Sequence, residues 1–119
     1  MTQQHILIII HAAPHGSERC LSGLRVANAM AARADVAGVR VFLMSDATVA
    51  ALPHQNDGAA NAIQTLVQEL VAAKAPVQLC RTCALARGLD QLPLIAGVGI
   101  GTLADLGDWV LAADKVLTF

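Results

Sequence analysis

A chain of 119 residues has room for one domain around one core, and at that length a hydrophobic core can hold the fold without disulfide staples. Hydrophobic residues make up 55% and charged residues 14%, so part of the apolar surface has to be hidden, inside a sheet covered on both faces or at a subunit interface. The net charge is −1 with no basic tract, which argues against nucleic acid as a partner, and no stretch of about 18 apolar residues is free enough of polar breaks to span a membrane. The first residues carry no basic n-region and the apolar run at 6–10 is too short for a signal segment, so the cytoplasm is the expected compartment, where the three cysteines stay reduced.

In chain order, Ile6-Leu7-Ile8-Ile9-Ile10 is a continuous, mostly β-branched run, the pattern of a strand buried on both faces of a parallel sheet. Pro14 and Gly16 mark a turn, and Ser17 is a candidate cap for a helix carrying Cys20, Leu24, Ala27 and Ala31 on one stripe and ending near 35–38. A second strand is expected at 39–44, with Ser45 and Asp46 at its carboxyl end. After a loop with Pro53, Asn56, Asp57 and Gly58, the residues Ala59, Ile63, Leu66, Val67, Leu70 and Val71 recur at helical spacing until Lys74, and Pro76 blocks continuation. Val77-Gln78-Leu79 is a short third strand that delivers Cys80; 81–87 makes about two helical turns closed by Gly88. A Gly-interrupted fourth strand is expected at 95–100. Thr102 with Asp105 resembles a capping box on a helix running to Ala112, and 115–119 is a last strand.

This alternation predicts a three-layer α/β/α domain with a mainly parallel sheet of about five strands joined by right-handed crossovers. In such sheets ligands gather outside the carboxyl ends of the strands. His11, His15, Ser45, Asp46, Cys80 and Cys83 are therefore expected on one edge, far apart as they are in sequence.

The sharpest chemical signal is Leu79-Cys80-Arg81-Thr82-Cys83 through Arg87-Gly88. A thiol between a strand end and a helix start, near the cations Arg81 and Arg87, is favoured as thiolate; the plain alternative is a small buried hydrophobe. Three chemistries suit the C-x-x-C pair. A structural zinc site needs four ligands, and no second paired motif supplies them, so no metal or cofactor is expected. Dithiol exchange would use Cys83 to resolve a mixed disulfide at Cys80. Persulfide carriage would have Cys80 accept a sulfur atom and hand it on. His11 and His15 are spaced for a metal only on a helix, and Pro14 between them argues for a loop and a polar surface role. Asp46 is expected to cap a short helix or line the cleft. Cys20 sits on an apolar stripe and is expected in the core. The segment 99–104 matches a G-x-G-x-x-A fingerprint, yet too little chain follows it for the rest of a dinucleotide-binding unit.

Several segments together resemble the DsrE/DsrF-like family: Ala13-Pro14-His15-Gly16-Ser17-Glu18, Leu43-Met44-Ser45-Asp46-Ala47, Leu79-Cys80-Arg81-Thr82-Cys83 with Arg87-Gly88, Leu92-Pro93-Leu94-Ile95, Ile100-Gly101-Thr102-Leu103, and the ending from Ala113 to Phe119. The resemblance covers nearly the whole chain. It implies a compact α/β domain that assembles as a homohexamer, and a connection to sulfur relay with a partner protein as sulfur donor or acceptor. In relatives of that relay type the persulfide-carrying cysteine lies eight residues before the glycine of an Arg-Gly pair, which here is Cys80. Cys83 has no counterpart in that carrier motif. Two further readings stand beside sulfur carriage: a dithiol redox protein using both cysteines, and a non-catalytic ligand-binding or assembly module.

Overall fold

The apolar run at the start of the chain becomes an interior strand of the sheet. The computed structural model of the protein describes residues 3–56 and 62–119. Its elements are β1 (Gln4–Ile10), α1 (Arg19–Ala31), β2 (Val36–Leu43), a 3-10 helix (Ser45–Ala51), α2 (Ala62–Ala72), β3 (Val77–Cys80), α3 (Arg81–Ala86), a 3-10 turn (Leu89–Gln91), β4 (Gly99–Gly101), α4 (Leu103–Ala112) and β5 (Lys115–Thr118). The five strands form one sheet in the order β4-β3-β2-β1-β5, and every pairing is parallel.

Chain direction explains the layers. Moving from β1 to β4 the strands step one way across the sheet, so right-handed crossovers put α1, α2 and α3 on one face; the return to β5 puts α4 on the other. The first face holds the core. Alternate strand residues Ile6, Ile8, Ile10, Val41, Leu43, Val77 and Leu79 pack in one cluster with Cys20, Leu24 and Ala27 of α1 and Ile63, Val67 and Leu70 of α2. Because side chains alternate along a strand, Leu7, Ile9, Phe42, Gln78 and Cys80 point to the opposite face. There Trp109 of α4 meets Phe42 edge-on, with ring centroids 6.0 Å apart at 85°, and the Arg40 guanidinium lies 5.4 Å from the Trp109 centroid. The second layer is thin. α4 buries none of its residues fully, and all four residues of β5 are exposed.

The boundaries depart from the sequence expectation where local polar contacts win. α1 stops at Ala31, short of 35–38, and β2 starts at Val36; between them Arg33 and Asp35 close the turn with paired 2.7 Å hydrogen bonds. Ser17 does not cap α1. Its hydroxyl oxygen lies 3.4 Å from the Arg19 amide, and the capping position falls on Glu18 without a side-chain bond. The expected fourth strand shrinks to Gly99–Gly101, because Ile95 is drawn into the core and its amide donates to the Ala51 carbonyl at 2.8 Å. Gly97 turns the chain with φ +90, where a Cβ would also run into Val71. The expected start of the second helix at Ala59 lies outside the described residues.

Candidate functional site

β3 is short because Cys80 ends it, in extended backbone (φ −61, ψ 122), and is at once the capping position of α3. The amides of the first helical turn have no partner within the helix, and those of Thr82 and Cys83 favour the ionised Cys80 sulfur without forming a side-chain capping bond to it. The Thr82 hydroxyl adds a contact at 3.2 Å, and the Cys83 thiol lies against Cys80 as a further donor. Burial pushes the Cys80 thiol up, and the Thr82 hydroxyl, the Cys83 thiol and the two amides outweigh it, holding Cys80 below the ordinary cysteine range. Burial and the bond it gives to Cys80 push Cys83 the other way. Cys80 is 1% exposed, whereas Cys83 is partly open. Gly88, at φ 68, stops α3 in the left-handed conformation a helix end favours.

The other wall comes from the carboxyl end of β2. Ser45 takes φ 52, a left-handed conformation that costs a non-glycine residue roughly 1 kcal/mol, and its amide faces the Cys83 sulfur. Asp46 accepts from Arg87 Nε at 3.2 Å and from the terminal nitrogen Nη2 at 2.9 Å, while Arg87 Nη1 donates to the Cys83 carbonyl at 3.1 Å. This bracket ties the 3-10 helix after β2 to α3.

The expected edge cluster is thus partly assembled. Ser45, Asp46, Arg87, Cys80 and Cys83 come together. His11 contributes backbone only, its carbonyl accepting from the Ala47 amide at 3.2 Å. His15 is turned away to Gln55, at 3.0 Å. Arg81 is exposed and takes no part in the contacts that favour Cys80 ionisation, so neutral donors replace the cation expected there; the positive charge of Arg87 acts on Cys83 instead. Of the two roles expected for Asp46, it does not cap the 3-10 helix; it lines the site as the anion of the bracket. Cys20 is fully buried and its thiol is pushed up to about 11 by burial, which makes it inert near neutral pH.

Two participants escaped sequence reasoning. Thr82 sits inside the C-x-x-C pair, where a hydroxyl two residues after a strand-end thiol is the available signal. Thr48 is the one fully buried polar residue among the described residues, and a lone hydroxyl within Ala47-Thr48-Val49-Ala50-Ala51 could have flagged it. Among the described residues no group of three or more His, Cys, Asp or Glu side chains is gathered to hold a metal ion. The dinucleotide-like segment ends in a capping box: the Asp105 amide donates to Thr102 Oγ1 at 3.1 Å and the Thr102 amide to Asp105 Oδ2 at 2.9 Å. Asp105 thereby fills the helix start. No described helix is long and apolar enough to cross a membrane.

A five-stranded parallel sheet presenting a paired thiol at the end of its third strand defines a small α/β domain built around a cysteine. Residues 4–119 match the DsrE/DsrF-like family, and the chain belongs to it. It is 47% identical over 116 residues to protein YchN of Escherichia coli, covering 98% of this chain and 99% of that one. An uncharacterised protein of Methanopyrus kandleri is 32% identical over 114 residues, covering 96% of this chain and 93% of the relative. The crystal structure of the E. coli YchN protein superposes with a TM-score of 0.92 at 47% identity, covering 98% of this chain and all 100% of that one. A protein of unknown function from Bacteroides thetaiotaomicron shares the fold at a TM-score of 0.68 and 13% identity, covering 98% and 95% of the two chains.

Proposed function

We propose that the protein carries sulfane sulfur on Cys80, taking it from one partner protein and passing it to another in the reducing cytoplasm. The observation that carries this reading is a buried sulfur at the end of β3 and the start of α3, in contact with the Thr82 hydroxyl at 3.2 Å and held below the ordinary cysteine range by its polar surroundings. Such surroundings favour a thiolate, which is the form that attacks. In the loading step the Cys80 thiolate attacks the outer sulfur of a donor persulfide, the donor S–S bond breaks, and the donor thiolate leaves and takes a proton. The sulfur atom moves without net oxidation. In delivery an acceptor thiolate attacks the outer sulfur on Cys80 in the same way. Membership of the DsrE/DsrF-like family supports the reading.

The contact between the two thiols favours a second reading, dithiol exchange. In it Cys83 attacks the inner sulfur of a Cys80 persulfide, forming a disulfide and releasing hydrosulfide. Intact mass after brief exposure of reduced protein to a low-molecular-weight persulfide separates the readings. A gain of one sulfur atom per chain supports carriage. A loss of two hydrogens supports exchange, and an unchanged mass supports a non-catalytic module.

We further propose that the chain self-associates through α4 and β5, with six copies as the family resemblance implies. The support is the apolar surface left open there: Leu103, Val110, Leu111, Val116 and Leu117 are all exposed, Leu111 by 87%, on a free edge strand that folded proteins do not leave unprotected. Sedimentation at micromolar concentration is expected to give a single closed oligomer. A monodisperse monomer would remove the claim.

A further inference from the structure

A glycine inside a strand weakens it and often marks a place where another group approaches closely. Gly38 is such a residue, within β2 and paired with His5 of β1. Nothing in the fold asks for glycine there: its φ lies outside the left-handed range, and an added Cβ would meet only His5 Nδ1, at an ordinary 3.7 Å. The room left over Gly38 belongs to a cavity of about 270 Å³ between the amino end of the sheet and the carboxyl end of α4, with His5, Leu7, Gly38, Arg40, Lys74 and Trp109 among its walls. A second residue on this cavity is out of place. Lys74 follows α2 with φ 61, the left-handed position at which helices end on glycine or asparagine, and its amide donates to the Val71 carbonyl at 3.0 Å. The lysine bears that strain and keeps its charge at the rim. Arg40 is the other cation, its guanidinium 5.4 Å from the Trp109 ring centroid. Among the described residues neither Arg40 nor Lys74 is in an ion pair, and no carboxylate lines the cavity. Asp114 is already bonded to the His5 amide at 2.7 Å.

We propose that this cavity binds a small organic acid, its carboxylate held by Arg40 and Lys74 and its compact apolar body seated over Gly38 against Leu7 and Trp109. Two cations without an internal counterion attract an anion, and the planar guanidinium matches a carboxylate edge to edge. The apolar walls select against a fully hydrated ion, which would have to give up its water to enter. The volume sets the size: at about 270 Å³ the cavity is just below the roughly 300–1,000 Å³ of ordinary ligand sites, so its ligand is smaller than a drug-sized molecule. Gly38 then has a reason, because a side chain there would occupy the apolar end of the site. Lys74 has one too, because the residue that would relieve the backbone carries no charge. The cavity lies at the amino ends of the strands, whereas Cys80 lies at the carboxyl end of β3, so this inference stands apart from the sulfur-carrier reading.

Trp109 is the chain's single tryptophan, and there is no tyrosine, so tryptophan fluorescence reports on this cavity directly. Titration with benzoate is expected to change the emission to saturation, with an affinity about tenfold above that of the neutral isostere benzamide, while inorganic phosphate produces no saturable change. Lys74→Gly is expected to raise the urea midpoint by relieving the left-handed strain and to weaken benzoate binding about tenfold. Gly38→Val is expected to keep the urea midpoint at or above the wild-type value, since valine suits a strand, and to abolish saturable benzoate binding by filling the apolar end. Gly38→Ala serves the same purpose if the valine variant does not fold. Purely structural roles for these residues would move stability without moving binding in the opposite direction. No saturable response to benzoate, benzamide or phosphate binding as tightly as benzoate, or an unchanged benzoate affinity in Lys74→Gly or in the folded Gly38 variant would each overturn the proposal.

Discussion

Replacing Cys80 with serine is expected to lower sulfur uptake from a persulfide donor by about a hundredfold or more, because the substitution removes the nucleophile itself. The surrounding donors would remain, but an alkoxide is not available near neutral pH as a thiolate is. Cys83→Ser is the informative companion. A serine there keeps an O–H aimed from α3 and is expected to hold uptake within several-fold of the wild type. Cys20→Ser is a poor control for reactivity, since it buries a hydroxyl in the core among Leu24 and Ala27 and acts on stability. Uptake by Cys80→Ser at the wild-type rate, measured by quenched-flow and intact mass, would move the function away from Cys80.

The largest effect on stability is expected at Phe42, whose ring is fully buried on the sheet face that α4 covers thinly. It meets Trp109 edge-on and lies against Gly101, where even an added Cβ would come within 3.2 Å of the ring. Phe42→Ala is expected to cost about 3–5 kcal/mol from lost burial and the cavity left behind, out of about 5–15 kcal/mol that holds a domain of this kind. Phe42 also contacts the helix whose outer side is proposed to meet other copies. Its loss is therefore expected to loosen α4 and weaken assembly together. Urea unfolding at fixed chain concentration measures the first effect; a change below about 1 kcal/mol would show that the sheet tolerates a void where the Phe42 ring meets Trp109 and Gly101.

Much of this fold was legible in the chain. The β-branched run at 6–10, the helical spacing from Ile63 to Val71 and the Pro76 break each bury apolar surface in only one way, and those elements form where the pattern puts them. The Thr102–Asp105 box is a local interaction and survives intact. What the chain hides are outcomes decided by tertiary contact. Ile95 reads as strand, but the core beside Ala51 takes it out of the sheet. The 3-10 helix at Ser45–Ala51 has no periodic signal, because it is held by carbonyls at the ends of β1 and β2 and by Thr48. For the site, the strand-end rule put His11, His15, Ser45, Asp46, Cys80 and Cys83 on one edge; Ser45, Asp46, Cys80 and Cys83 lie there together, whereas His15 turns to Gln55 and His11 joins through its backbone. It overstated the cations: Arg81 looks adjacent in sequence, yet a residue next along a helix start points away from the sulfur, and amides and a hydroxyl do that work.

The most direct measurement of the central claim is the location of the transferred sulfur in the wild-type chain. Trypsin cleavage after Arg81 separates Cys80, on peptide 75–81, from Cys83, on peptide 82–87. Reduced protein is exposed to a persulfide donor, the outer sulfur is capped with an alkylating reagent, and the digest is weighed peptide by peptide. The extra sulfur is predicted on peptide 75–81; finding it on peptide 82–87 or on the Cys20 peptide, with 75–81 unmodified, would contradict Cys80 as the carrier.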